Sequence, residues 1–329
     1  MIQAHPDKIF NLTSRAEFEK TALEIYNYQA SGNRLYSDFI KLIGKGNDPV
    51  NVVSELPFLP VEFFKSHKIL TGAQDHELVF ESSRTTGKSV SRHYVANLSL
   101  YEESFLRCFR LFYGDPEDYL IAALLPSYTE REGSSLVYMM NSLIIRSSDS
   151  FSGFYSNNRR EMLKHIENAL AEKRKVLLMG VSFALLDLAE EYSPDLKGVI
   201  VMETGGMKGR RKEIIREELH SILKESFNID TVHSEYGMTE LLSQAYSKGD
   251  GIFYCPPWMN VMLRDPQDPL TLIDEPGRTG GINIIDLANI NSCSFIATAD
   301  LGRLHEDGSF EVIGRFDSSD IRGCNLLVE

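Results

Sequence analysis

The sequence predicts an α/β protein in which a mainly parallel sheet, covered by helices on both faces, is followed by an antiparallel β subdomain. Two observations carry that prediction. Between residues 119 and 240, short apolar runs alternate with stretches of helical periodicity, the pattern of strand–helix–strand crossovers. Beyond residue 250 the helical stretches cease, and short strands are divided by turns such as Glu275-Pro276-Gly277 and Glu306-Asp307-Gly308. The 329 residues are 43% hydrophobic and 25% charged, a globular composition with enough apolar content for a large core. The organisation expected is an α/β core over residues 1–250, an antiparallel subdomain over 251–314, and a hinge with a short tail over 315–329.

The elements follow in order. Helices open the chain, because Phe18, Ala22, Ile25, Tyr26, Phe39 and Leu42 fall at helical spacing within residues 16–42. Leu56-Pro57-Phe58-Leu59-Pro60 is held extended by its prolines, and residues 61–64 begin a short helix. Strands at 78–80 and 93–95 flank a polar loop. Residues 99–112 read as a helix with Ser99 as N-cap and Glu102 three positions on, a capping box. Strands at 119–125, 176–179, 198–203 and 230–233 then alternate with helices at 135–145, 159–172, 182–192, 211–225 and from Thr239 onward. Strands at 260–263, 281–286, 295–297 and 310–313 complete the chain.

Composition excludes some functions. A net charge of -13 argues against nucleic acid as a main partner, since phosphate neutralisation needs a basic footprint, although a local nucleotide pocket remains compatible with it. Cys108, Cys255, Cys293 and Cys324 show no C-x-x-C spacing, and reduced thiols in a cytoplasmic protein are the simplest account. Residues 1–20 lack the apolar stretch of a signal peptide, and no run is long enough for a membrane span. A cytoplasmic globule is expected.

Four polar segments carry the candidate chemistry. Ser82-Ser83-Arg84-Thr85-Thr86-Gly87-Lys88 follows an apolar strand and has the hydroxyls, glycine and cations that wrap a polyphosphate; the same composition also suits a surface turn. Thr204-Gly205-Gly206-Met207-Lys208-Gly209 sits at a strand-to-helix turn, either an anion- or base-binding ledge or a glycine turn with solvated cations. In Tyr236-Gly237-Met238-Thr239-Glu240, Thr239 is either only a helix cap, with Glu240 favoured by the helix dipole, or Glu240 is a Mg2+ ligand. Thr298-Ala299-Asp300-Leu301-Gly302 places a carboxylate at the end of a strand, where it can accept from a ribose diol or simply serve a turn. Gly314-Arg315-Phe316-Asp317 puts an arginine close behind. His233 is a candidate neighbour of the substrate carboxylate, and Phe183, Leu185, Leu186, Trp258 and Met259 are candidates for an apolar tunnel; both sets also suit purely structural roles.

The order of these motifs resembles the adenylate-forming superfamily of acyl-CoA synthetases, adenylation domains and luciferases. That resemblance implies the superfamily's N-terminal domain and ATP-dependent activation of a carboxylate through an acyl-adenylate, with pyrophosphate released. It assigns Ser82, Ser83, Thr85, Thr86, Gly87 and Lys88 to the phosphates, Gly205, Gly206, Lys208, Tyr236 and Gly237 to the nucleotide, and Thr239 to the adenylate phosphate. It assigns Glu240 to Mg2+ and Asp300, with Arg315 beside it, to the ribose.

The departures are informative. Arg84 stands where the superfamily has a glycine, its Pro-Lys after the loop is missing, and Ala299 replaces a glycine. The usual full-length C-terminal lid does not follow the hinge motif, so no lid lysine can be assigned. The chain is more similar to the LuxE-type acyl-protein synthetases, on Pro126-Ser127-Tyr128-Thr129-Glu130-Arg131, Gly205-Gly206-Met207-Lys208-Gly209 and Ile321-Arg322-Gly323-Cys324. That branch implies a long-chain fatty acid or related carboxylate as substrate and transfer of the acyl group to Cys324 as a thioester. It also implies a fatty-acid reductase and an acyl-transferring protein as partners. A ligase using free coenzyme A and a non-catalytic nucleotide-binding subunit are the alternatives.

Overall fold

A computed structural model describes residues 6–46, 48–82, 90–125, 133–206, 211–212 and 214–316. Three helices open the chain: α1 (Pro6–Phe10), α2 (Arg15–Gly32) and α3 (Arg34–Leu42). Ser14 caps α2 by accepting from the Glu17 N–H, and Asn33 both ends α2 and caps α3 through the Tyr36 N–H. A two-residue strand β1 (Leu59–Pro60) follows, and β2 (Leu78–Glu81) pairs with β3 (Arg92–Val95) as an antiparallel ribbon.

The central layer is a six-stranded sheet. It contains β4 (Tyr119–Leu124), β5 (Gly153–Phe154), β6 (Lys175–Val181), β7 (Ile200–Thr204), β8 (His233–Tyr236) and β9 (Ala245–Ser247), in the order β5-β4-β6-β7-β8-β9. All its pairs are parallel except β8 with β9. The strands β4 and β6 are buried almost throughout, as expected where helices cover both faces. The covering helices are α4 (Leu98–Tyr113), α5 (Ser135–Arg146), α6 (Arg159–Ala171), α7 (Ser182–Tyr192) and α8 (Arg216–Phe227).

The second sheet has seven strands. β10 (Ile252–Phe253), β11 (Met259–Arg264), β12 (Leu272–Ile273), β13 (Thr279–Asp286), β14 (Phe295–Leu304) and β15 (Phe310–Arg315) run β10-β15-β14-β13-β11-β12, antiparallel throughout. The seventh strand, β1, pairs in parallel with β14. Arg216 ties the two sheets together: from the start of α8 it reaches Glu203 of β7 at 3.3 Å and donates to the Val312 carbonyl of β15 at 2.8 Å.

Several elements depart from the sequence expectation. The cap of α4 is Asn97, accepting from the Ser99 N–H; Glu102 instead accepts from the Tyr138 hydroxyl and pairs with Arg146. The helix expected from residue 211 begins at Arg216, because Arg211 is drawn back to Asp187 and Glu190 of α7. The strand expected at 230–233 is shifted to His233–Tyr236. No helix follows Thr239. Tyr236 pairs with Ala245 across the β8–β9 hairpin, so residues 237–244 are the connection, and they form turns in place of a helix. Among the described residues no helix is long and apolar enough to cross a membrane.

Candidate active site

The second sheet builds one corner of the site. The β14–β15 register sets Asp300 opposite Arg315, and Arg315 Nε lies 3.2 Å from Asp300 Oδ1. From the end of β8, the Tyr236 hydroxyl donates to Asp300 Oδ2 at 2.8 Å. The Tyr236 ring is fixed edge-on by Phe253 and Phe310, with centroids 5.9 and 5.6 Å away. The Asp300 N–H donates to Thr298 Oγ1, and the Thr298 hydroxyl donates to the Ile282 carbonyl. Behind them the buried Arg264 donates to the carbonyls of Ile282 and Thr298 and to Asn283 Oδ1, with its guanidinium over the Phe316 ring. Burial pushes the Asp300 carboxyl up, and Arg315 and Tyr236 oppose that shift. Each oxygen has a partner, yet a carboxylate oxygen has capacity for more, so a diol can still be accepted. Asp300 lies within β14 and not at a strand end. It sits just before the register shift between Leu301 and Gly302.

The Tyr236-to-Glu240 segment meets this corner and is held by its backbone. His93 Nδ1 lies 2.9 Å from the Thr239 carbonyl, and Asn289 Nδ2 donates to the Glu240 carbonyl at 2.8 Å. Asp286 accepts from the N–H groups of Leu242, Ser243 and Ala288 and from the Ser243 hydroxyl. The helix cap and dipole expected for Thr239 and Glu240 are thus replaced by a buried carboxylate and two polar side chains. Asn289 Oδ1 faces His93 Nε2 at 3.0 Å, so both ring nitrogens face acceptors. Burial pulls His93 down to about 4, and the neutral ring donates through one nitrogen at a time.

The Glu240 side chain is buried, and burial pushes its carboxyl up. The Ser91 hydroxyl is the first group to oppose that shift, with Arg315 and Lys65 contributing charge. A divalent cation fits this donor set, because it would offset a desolvated carboxylate, and magnesium is commonly held by one or two carboxylates plus substrate phosphates. Among the described residues no group of three or more His, Cys, Asp or Glu could hold a metal unaided.

The other expected residues are placed as follows. Ser82 closes the neck of its loop: its N–H donates to the Ser91 carbonyl and its Oγ accepts from the Ser91 N–H, both at 3.0 Å. Ser83, Arg84, Thr85, Thr86, Gly87, Lys88, Lys208 and Cys324 lie outside the described residues. Gly205 and Gly206 follow β7 with φ of 63° and 62°, a left-handed turn that favours glycine. His233 is not at the site. It begins β8, at the opposite end from Tyr236, where its Nδ1 lies 3.2 Å from the Tyr113 hydroxyl. Phe183, Leu185, Leu186, Trp258 and Met259 are all core residues, and the Trp258 indole N–H donates to Ser104 and Ser243. Burial raises Cys108 well above the usual thiol range and pushes Cys255 and Cys293 up to about 12.

Sequence reasoning missed Ser91, His93, Arg264, Asp286 and Asn289. For two of them a signal existed: Asp286 and Asn289 interrupt the apolar run Gly281-Ile282-Asn283-Ile284-Ile285-Asp286-Leu287-Ala288-Asn289-Ile290, and polar residues in such a run need buried partners.

No protein-family model and no curated protein matches the sequence. Solved structures do. MatB from Rhodopseudomonas palustris, solved with ATP bound, superposes with a TM-score of 0.52 at 16% identity, over 74% of this chain and 49% of that one. The luciferase-like enzyme from the nonluminescent mealworm Zophobas morio gives 0.50 at 18% identity, over 80% of this chain and 62% of that one. A malonyl-CoA ligase, solved with methylmalonyl-CoA and AMP, gives 0.50 at 17% identity, over 75% and 55%. The chain therefore spans between 49% and 62% of the length of these neighbours. The mixed α/β fold, a parallel sheet with helices joined to an antiparallel sheet, is shared with these structures.

Proposed function

We propose that this protein uses ATP to activate a carboxylic acid as an acyl-adenylate. The observation that carries the reading is the corner where Tyr236 and Arg315 fix the Asp300 carboxylate, with Glu240 on the segment that leaves Tyr236. In the roles proposed, Asp300 accepts from the ribose hydroxyls, and the Arg315 charge opposes the burial that pushes its carboxyl up. Gly205, Gly206, Lys208, Tyr236 and Gly237 border the nucleotide, and Thr239 binds the phosphate being attacked. The loop from Ser82 to Lys88 holds the remaining phosphates, with Ser82 closing its neck. Glu240 would hold Mg2+, which when bound offsets phosphate charge. A carboxylate oxygen of the acid attacks the α-phosphorus; the new P–O bond forms as the α–β bridging P–O bond breaks, and pyrophosphate leaves with the electron pair.

For the second half-reaction we propose Cys324 as acceptor. Its thiolate attacks the acyl carbon, the C–S bond forms, the C–O bond to AMP breaks, and the thiol proton is released to solvent. The described thiols of Cys108, Cys255 and Cys293 are held protonated by burial and are poor nucleophiles. A reductase and an acyl-transferring protein would take the thioester onward. The fatty nature of the acid has no support from the residues expected to line a tunnel, since all are packed in the core.

Intact mass after incubation with ATP, Mg2+ and carboxylic acids tests this proposal. The expected result is pyrophosphate release together with a mass increase equal to one acyl group, with the adduct lost in Cys324→Ser while release persists. An adduct retained by that variant removes Cys324 from the account. Release that produces a thioester only when coenzyme A is added makes coenzyme A the acceptor.

A further inference from the structure

His93 is a buried histidine that faces more acceptors than it has protons. It is 1% exposed, and the Phe64 ring meets it edge-on with centroids 5.7 Å apart. Its Nδ1 faces the Thr239 carbonyl at 2.9 Å, and its Nε2 faces Asn289 Oδ1 at 3.0 Å. Asn289 is not free to offer an N–H instead, because its Nδ2 donates to the Glu240 carbonyl at 2.8 Å. Gln29 fixes the Asn289 backbone from behind by donating to the carbonyls of Asn289 and Ile290. A ring kept neutral by burial carries one proton, so it satisfies one of the two acceptors.

The two nitrogens are not equivalent. The contact to Thr239 is the shorter, and a backbone carbonyl in a tied segment cannot turn away, whereas the Asn289 amide can tilt about its last torsion. The proton therefore belongs on Nδ1. Its consequence falls on the next peptide. A planar trans peptide points its C=O and N–H in opposite directions, so holding the Thr239 carbonyl toward His93 turns the Glu240 N–H away from it. That N–H is one of the groups that draw the Glu240 carboxyl down against its burial. The following peptide is set in the same way: Asn289 holds the Glu240 carbonyl, and the Leu241 N–H donates to the Met238 carbonyl at 3.1 Å. β3 delivers His93 to this point from the neck closed by Ser82 and Ser91. Burial alternates from Ser91 to Val95, so Ser91 and His93 share the inward face.

We propose that His93 is a positioning residue for adenylation, whose Nδ1–H holds the Thr239 carbonyl and so aims the Thr239–Glu240 peptide at the nucleotide. This rests on the adenylation reading above and deepens it. The histidine touches no reacting atom; it acts through the backbone of the two residues that do. An orientation that matters most at the phosphorus being attacked is felt in kcat and not in KM for ATP.

Two measurements on the full chain test this. Nitrogen-15 NMR of histidine-labelled protein, with the His93 signals identified by their loss in His93→Asn, is expected to show a protonated Nδ1 and a bare Nε2. The reverse tautomer overturns the assignment whatever the activity. The second measurement is acid-dependent exchange of pyrophosphate into ATP. His93→Leu, which has no donor, is expected to lose about tenfold or more in kcat with KM for ATP held within about threefold. His93→Asn puts an amide N–H near the Nδ1 position and is expected to come within about threefold of the wild type. His93→Gln, whose amide reaches the Nε2 position, is expected to stay near His93→Leu. Should His93→Leu fail to fold, the Asn and Gln variants decide. Equal exchange in those two at equal Tm, or undiminished exchange in His93→Leu, overturns the positioning role and leaves adenylation standing. Absence of exchange with every acid in the wild type overturns the adenylation reading and the role of His93 in it, while the nitrogen signals alone decide the tautomer.

Discussion

Asp300 and Glu240 are both buried carboxylates at one corner of the molecule, yet they are held in opposite ways. Asp300 is positioned through its side chain. Its strand register sets it against Arg315, and Tyr236 reaches it from the other sheet. Around Glu240 the bonds go to the backbone, from His93, Asn289 and Asp286, and the carboxyl itself has the Ser91 hydroxyl as its first supporting group. One acid is thus fixed through its side chain and the other through its backbone, which on the reading proposed above would leave the Glu240 carboxyl to a cation.

Four substitutions separate the two arrangements. Asp300→Ala removes two charge-assisted acceptor positions for a ribose and is expected to lower acid-dependent exchange about a thousandfold. A loss below about tenfold would detach Asp300 from nucleotide binding. Asp286 tests the backbone clamp. Its carboxyl is raised by burial to about 6, above its unfolded value of about 3.9, so the folded state binds more protons between these values. Stability should therefore fall by up to about 3 kcal/mol as pH rises from about 4 to about 6, then level off. Urea denaturation across that range should show a steeper fall in the wild type than in Asp286→Asn, where only the other raised carboxyls, Asp300 and Glu240, remain. An equal slope in both would place the titration elsewhere.

Glu240→Gln keeps the clamp and removes the charge. Exchange is expected to drop about thirtyfold, with half-saturation moving to higher Mg2+. If the Mg2+ dependence is unmoved, Glu240 is not the metal ligand. Tyr236→Phe is the mildest change: it loses one hydrogen bond to a carboxylate, so the ATP dissociation constant should rise about fivefold to tenfold while the fold is kept. Calorimetry of ATP binding reads this directly, and an unchanged constant would mean that the phenol does not position Asp300.

How much of this was legible in the sequence follows the same division. The parallel sheet, its helices and the antiparallel sheet could be read, because apolar periodicity reports the faces that are buried. Asp300 and Arg315 could be named from short motifs, and strand register then brings them together. The clamp on Glu240 could not be read. His93 is 146 residues from its partner Thr239, and Asn289 is 49 residues from Glu240, separations that no local pattern encodes. The expected helix after Thr239 failed for a related reason. A capping signature satisfies local N–H groups, but here Asp286 from the other sheet accepts from Leu242 and Ser243. Ser99 likewise has the chemistry of a cap, and Asn97 two residues earlier takes the role.

The most direct test of the central claim is exchange of labelled pyrophosphate into ATP, measured with and without a carboxylic acid, in the wild type and in Asp300→Ala. The expected result is exchange that requires an acid and Mg2+ and that disappears in the variant. Exchange undiminished in Asp300→Ala, or ATP binding without exchange for any acid, would contradict it.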